Sequence, residues 1–337
     1  MPFANYKNEA TAFRMANDAN GDDWRDLADW YGSKGRKLFI AAFRKETAIR
    51  LPSKMGQDNQ VGAALPNGVA DAEYKSKDNA FYRAHAQWFL DEMDLVMSKV
   101  PRESPNVELN FAYGNVYRYV QHLLLDSVVL FEHWASRSLG VPGVYGIGKN
   151  EMTHLVAFWH GTRQMIYGHG SFGLSFIDSH SELAVGMIRQ AIELRLRRAF
   201  GLIGKSRNPD GAFYPVGFGQ LLDVIDAVGA DVVTAIPRFN IKRINSWANM
   251  FMHSGVKSYT WTPSRVLLYV RPLIVGGETV EGVQSVYSGV RMKRAAFDKV
   301  RESIIEKIRS DVDTTGRPRF EPILADIRYC DAVILRD

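Results

Sequence analysis

From residue 22 to 50 large apolar side chains return every three or four positions, at Leu27, Trp30, Tyr31, Leu38, Ala41 and Ala42, with Asp and Arg between them. That spacing predicts an amphipathic helix bracketed by Asn20-Gly21 and Pro52. Residues 53–75 break the rhythm: Gly56, Gly62, Pro66, Asn67 and Gly68 punctuate a stretch with few large apolar residues, which reads as a long loop. Phe81, His85, Trp88, Phe89, Met93 and Val96 then mark one side of a helix over 78–99, with Asp78 as its N-cap and Pro101 and Pro105 beyond its end. Residues 107–139 are apolar nearly all round, which predicts a long central helix with a weak point at Gly114.

After a glycine-rich turn, Gly140–Gly148, the helical period resumes over 150–167 and 181–203, then in shorter runs at 217–228, 239–253 and 263–274. Residues 205–215 read as a polar loop, and 290–310 as a charged helix. From Ile323 to Leu335 apolar and polar residues alternate around β-branched positions, the period of one or two strands. The expected fold is mainly α, a multi-helix bundle with a small C-terminal β element. It divides into an N-terminal helical region, 1–140, and a second helical region, 141–337, that ends in the β segment.

Composition narrows the function classes. The chain has 337 residues and a formal charge of +5, which mildly favours polyanionic partners. A single cysteine, Cys330, rules out an intrachain disulfide and any four-cysteine or Cys2His2 zinc site within one chain, and reads as packing. Met1–Lys7 lacks the apolar run of a secretory signal. The most apolar long window, 109–130, still carries Arg118, His122 and Asp126. The expected location is cytoplasmic, with no membrane partner.

Three motifs come close to known chemistry and miss. Gly143-Val-Tyr-Gly-Ile-Gly-Lys149-Asn150 has the glycines and lysine of a phosphate-binding loop, but Asn150 stands where Mg²⁺ needs a hydroxyl. Asp311-Val-Asp313-Thr-Thr315-Gly316 begins like a calcium loop, yet its twelfth position is Pro322 and Glu321 comes one residue early. Glu151 and His154 share a helical face, with His160 and His169 following, but no second Glu-x-x-His completes a di-iron set. No metal or cofactor is expected.

Two segments carry more information. In His180–Gly201, Ile188, Ile192, Leu196 and Phe200 form one face, and Arg189, Glu193, Arg195, Arg197 and Arg198 supply the charge. Ser181 suits an N-cap and Gly201 a C-terminal stop, while the late cations complement the helix dipole. In the second segment, Arg243–Gly255, the residues Asn245, Asn249 and His253 fall four apart and line one polar stripe on a helix.

Over about residues 178–275 these segments resemble the HEPN superfamily, helical domains of prokaryotic toxins and antiviral defence proteins. The stretch Arg189-Gln190-Ala191-Ile192-Glu193 is similar to that family's charged motif, and His253 matches the histidine of its Arg-x4–6-His motif. The arginine departs from the pattern: Arg243 stands ten residues before His253, with Asn249 and Asn245 at the nearer positions. The resemblance implies RNA binding or metal-independent RNA cleavage, the latter at a dimer interface, with catalytic candidates His253, Arg243, Asn249 and Arg189. Arg195, Arg197 and Arg198, with Tyr259 and Trp261 as stacking faces, are the expected RNA contacts. It also implies a homo-oligomer and a protein partner encoded in the same antiviral-defence or toxin–antitoxin operon. The competing reading is a non-enzymatic helical scaffold that self-assembles or binds another protein, in which the polar stripe ties helices to neighbouring backbone.

Overall fold

The computed structural model describes residues 2–14, 21–52, 55–66, 78–99, 107–140, 184–208, 210–254, 258–276, 279–280, 283–285, 287–326, 330 and 332–335. The helix expected at 150–167, the glycine–lysine loop ending at Asn150, and Glu151, His154, His160 and His169 lie outside them. The described chain is mainly helical with small sheets.

Its compact units are not consecutive halves. One comprises residues 1–186 and 246–266, the other 187–245 and 267–337. The sequence placed a boundary near residue 140, at a glycine-rich stretch. These units are divided within helices, which carry no sequence mark of a linker.

The first unit is helical throughout its described part. Helix α1 (Pro2–Arg14), not foreseen from the sequence, buries Tyr6 and Ala10. Helix α2 (Gly21–Trp30) runs through a π-helical turn, Tyr31–Gly35, into α3 (Arg36–Thr47). The wide turn lets the Trp30 ring lie across Gly35, where a Cβ would stand 2.8 Å from it. The stop comes at Ala48, in the left-handed region at φ 59°, rather than at Pro52. Inside the expected 53–75 loop sits α4 (Gln57–Ala64), whose buried Gln60 accepts a 2.8 Å hydrogen bond from Trp88 Nε1. A partner from another helix, invisible to a local window, makes this polar segment ordered.

Helix α5 (Asn79–Lys99) starts with Asp78 accepting from the Ala80 amide at 2.8 Å. Helix α6 (Val107–Leu139) passes through Gly114 unbroken. The core is aromatic: Phe39 packs at 4.6 Å from Phe89, 5.6 Å from Phe131 and 5.4 Å from Tyr6. The Tyr6 hydroxyl is satisfied by Ser127 at 2.5 Å.

The second unit mixes helices and strands. Most of α7 (Ala184–Ala199) belongs to it, with Ile188, Ile192, Leu196 and Phe200 buried as the sequence pattern required. Then come β1 (Leu202–Arg207), β2 (Phe213–Tyr214), α8 (Phe218–Val228), β3 (Val232–Thr234), and the first part of α9 (Arg238–Ser254). The later part of α10 (Trp261–Val275), the hairpin β4 (Thr279–Val280) and β5 (Val283–Gln284), β6 (Val290–Lys293), α11 (Arg294–Arg309), β7 (Phe320–Leu324) and β8 (Val333–Leu335) complete it.

Sheet order is β2-β1-β7, all antiparallel, and β3-β6-β8, with β6 and β8 parallel. The stretch read as a polar loop, 205–215, is therefore strand, turn and strand, and the charged helix begins at Arg294 after a strand. Both misreadings have one cause. A short strand is stabilised by a partner far away in sequence, here β7 for β1 and β3 for β6, and local polarity does not report it.

Candidate functional site

Helix α9 sorts its residues by face. Ile241, Ile244, Trp247, Ala248 and Phe251 are buried, Asn245 and Asn249 half-buried, and His253 exposed in the last turn. Asn245 is occupied: its Oδ1 accepts from Arg189 Nε on α7 at 3.2 Å. The two segments singled out by sequence thus meet through polar side chains inside the second unit. Arg189 also pairs with Glu193 at 3.3 Å, and Glu193 in turn pairs with Arg197 one turn on.

The remaining α7 cations divide. Arg197, 8% exposed, donates to the Val216 carbonyl, and burial pulls its guanidinium below the ordinary arginine range. Arg195, 7% exposed, donates from Nε to the Leu273 carbonyl at 3.0 Å and lies over the Tyr287 ring. These two, expected to contact RNA, cap backbone carbonyls instead, because a buried guanidinium must spend its donors internally. Arg198 is exposed and Arg243 half-buried.

Tyr259 and Trp261, expected as stacking faces, are 1% and 0% exposed. Their rings lie parallel on each other, centroids 4.7 Å apart. The Tyr259 hydroxyl shares a 3.1 Å hydrogen bond with His133 Nδ1, and Trp261 Nε1 donates to His85 Nδ1 at 3.3 Å. Burial pushes the Tyr259 hydroxyl pKa well up. Burial, with Arg137 nearby, pushes His133 down to about 4, so its imidazole is neutral at neutral pH. The same segment is pinned further: the Thr260 amide donates to Asp126 at 2.7 Å and Ser264 to buried Glu92 at 2.8 Å. The chain that follows α9 is therefore locked onto α5 and α6 in the first unit.

The calcium-like segment is a turn whose ligand is its own backbone. Asp313 Oδ1 accepts from the Thr315 amide and hydroxyl and from the Arg317 amide, which holds its carboxyl below the usual range. Among the described residues no group of three or more His, Cys, Asp or Glu stands close enough to hold a metal ion.

Charge is unevenly shared. The first unit's segments hold 21 Lys and Arg against 21 Asp and Glu, and the second unit's hold 21 against 16, so the whole +5 belongs to the second. Within it, the β2-β1-β7 sheet shows a surface the sequence reading missed. Lys205, Arg207, Tyr214 and Phe320 share one face, with the Lys205 ammonium 4.0 Å from the Phe320 ring centre and Tyr214 edge-on to Phe320 at 5.4 Å. The alternation Ile203-x-Lys205-x-Arg207 was the available signal, but the run is too polar to read as a strand without its partners.

The chain matches no protein-family model, no curated protein and no solved structure. Function therefore rests on the chemistry of the residues themselves.

Proposed function

We propose that this protein is HEPN-like and acts on RNA, binding and cleaving it without a metal ion, with His253 as the proton-transfer group. The observation that carries this reading is the exposure of His253 on α9. A histidine that serves packing is buried and bonded, as His85 and His133 are, at 3% and 4% exposure. His253 stands where an external substrate can reach it.

Imidazole is suited to taking a proton from a ribose 2′-hydroxyl near neutral pH. The oxygen then forms a bond to the adjacent phosphorus, the bond from phosphorus to the 5′-oxygen breaks, and a proton is returned to the leaving oxygen. The products are a 2′,3′-cyclic phosphate and a 5′-hydroxyl. An arginine that meets the charge of the phosphorane would lower the barrier further.

The test is cleavage of single-stranded and structured RNA in EDTA. Wild type is expected to cut, and His253→Ala to lose on the order of 10²–10⁴-fold in rate with its fold intact by circular dichroism. Arg189→Ala and Arg243→Ala identify which cation, if either, serves the transition state. Wild-type protein that leaves RNA whole, while His253→Ala melts early, would refute the reading.

A second reading, self-assembly without catalysis, draws on α10. There Leu267, Leu268 and Val275 are solvent-exposed at spacings that place them along one side of the helix. An apolar row of this kind suits a partner surface. Light scattering at micromolar concentration tests it: a dimer or larger species that loses association with Leu267→Glu, together with an absence of cleavage, would favour this reading.

A further inference from the structure

Among the described residues, a helix packs against one side of the β2-β1-β7 sheet. Helix α11 packs against β7, and Glu321 reaches it through a 2.9 Å ion pair with Arg309. Because side chains alternate along a strand, Phe320 and Pro322 take the opposite face from Glu321. Antiparallel register sets what stands beside them. Lys205 lies opposite both Tyr214 and Pro322, and Arg207 opposite Phe320, and directly opposed residues share a face. The outer face thus presents Lys205, Arg207, Tyr214, Phe320 and Pro322 together.

The contacts within this face are those of an ordered platform. Phe320 props Tyr214 edge-on, and Arg207 lies beside Tyr214. Lys205 rests on the Phe320 ring. Tyr214 is exposed, at 37%. On the other face of the sheet Phe213 lies across Gly204, where a Cβ would collide with the ring. The acidic group nearest Arg207 is Asp210, at 4.0 Å with both side chains half in solvent, which leaves the guanidinium able to exchange it for a phosphate.

We infer that this outer sheet face is a binding platform for single-stranded RNA, with bases stacking on Tyr214 and phosphates meeting Lys205 and Arg207. Aromatic faces with flexible cations beside them are what an unpaired strand requires. The bases gain from any π-surface, and the backbone needs positive charge at its side. A duplex, whose bases are already stacked, gains nothing from Tyr214. The unit that carries the platform also carries all of the chain's excess positive charge. The platform gives the RNA-acting reading above its missing substrate contact, and in that respect rests on it. It replaces Tyr259 and Trp261, which are buried.

The experiment is fluorescence anisotropy of short labelled oligouridine and oligoadenine RNA, the same sequences as DNA, and an RNA duplex, against full-length protein. Wild type is expected to bind the single strands and prefer them to duplex. Tyr214→Ala is expected to weaken single-strand binding about 5- to 150-fold, the equivalent of one stacked base at ~1–3 kcal/mol. Lys205→Ala and Arg207→Ala are expected to weaken it and to reduce the salt slope by about 0.7 for each phosphate lost. Tyr214→Phe, which keeps the ring, should bind as wild type does. Equal affinity for RNA and DNA single strands supports the platform and assigns the choice of RNA to other residues.

The two hypotheses fail separately. Cleavage that depends on His253 while Tyr214→Ala binds normally overturns the platform and leaves the catalytic reading standing. Binding lost in Tyr214→Ala, with no cleavage by wild type, does the reverse. A wild-type protein that binds no single strand, or prefers duplex, overturns the platform outright.

Discussion

Trp261 separates a surface role from a core role more sharply than any other residue. As a base-stacking residue it would tolerate truncation and lose only RNA affinity. In the structure its indole is fully buried, parallel to Tyr259 at 4.7 Å and 5.5 Å from Phe89, and its Nε1 donates to His85. Trp261→Ala is therefore expected to cost on the order of 3–5 kcal/mol, the range for emptying a buried aromatic site. Trp261→Phe keeps most of the packing and loses the donor, leaving a buried acceptor on His85 to be resatisfied. It should cost about 1–3 kcal/mol. For a unit of this size each kcal/mol lowers Tm by roughly 2–4 °C.

Urea unfolding followed by far-ultraviolet circular dichroism measures the loss, and tryptophan fluorescence of Trp261→Phe reports whether the first unit unfolds in the same transition. Ala worse than Phe, and both worse than wild type, is the expected order. If Trp261→Ala stayed within ~0.5 kcal/mol of wild type and lost only RNA affinity, the buried placement would be wrong.

Further outcomes follow from other buried groups. His133 titrates near 4 when folded and near its ordinary 6.5 when unfolded, so between those values the unfolded chain binds more protons. Stability should therefore be full above about pH 6.5 and fall as pH drops toward 4, by on the order of 3 kcal/mol in total. His133→Asn should flatten the part of that slope between pH 5 and 6.5, and an unchanged slope would exclude His133 as its source. Gly35→Ala should destabilise even though Ala favours helix by roughly 1 kcal/mol, because its Cβ would meet the Trp30 ring at 2.8 Å. Overpacking of this kind costs about 1–3 kcal/mol, and a raised Tm would show that the ring moves aside without penalty.

What the sequence determined by itself was governed by near neighbours. The 3.6-residue period placed the buried rows of α5 and α7, and Asp78 caps α5 as an aspartate before a helix should. The Asn245–Asn249–His253 stripe also follows from helical spacing alone, because α9 is continuous across it. Spacing could not say which polar residues would be spent. Asn245 is claimed by Arg189, fifty-six positions away, while His253 remains at the surface.

Tertiary structure decided every question that turned on a distant partner. Tyr259 and Trp261 look like exposed aromatics in a polar context, and they are buried because His133 and His85 satisfy their polar atoms. Arg195 and Arg197 look like a basic patch and are consumed by backbone carbonyls. Lys205, Arg207, Tyr214 and Phe320 look like scattered loop residues, and β1 pairing with β7 gathers them onto one face. Amphipathic helices announce themselves because their period is local. Strand pairing and the burial of polar side chains depend on which groups arrive from elsewhere in the chain, and no window of sequence contains that information.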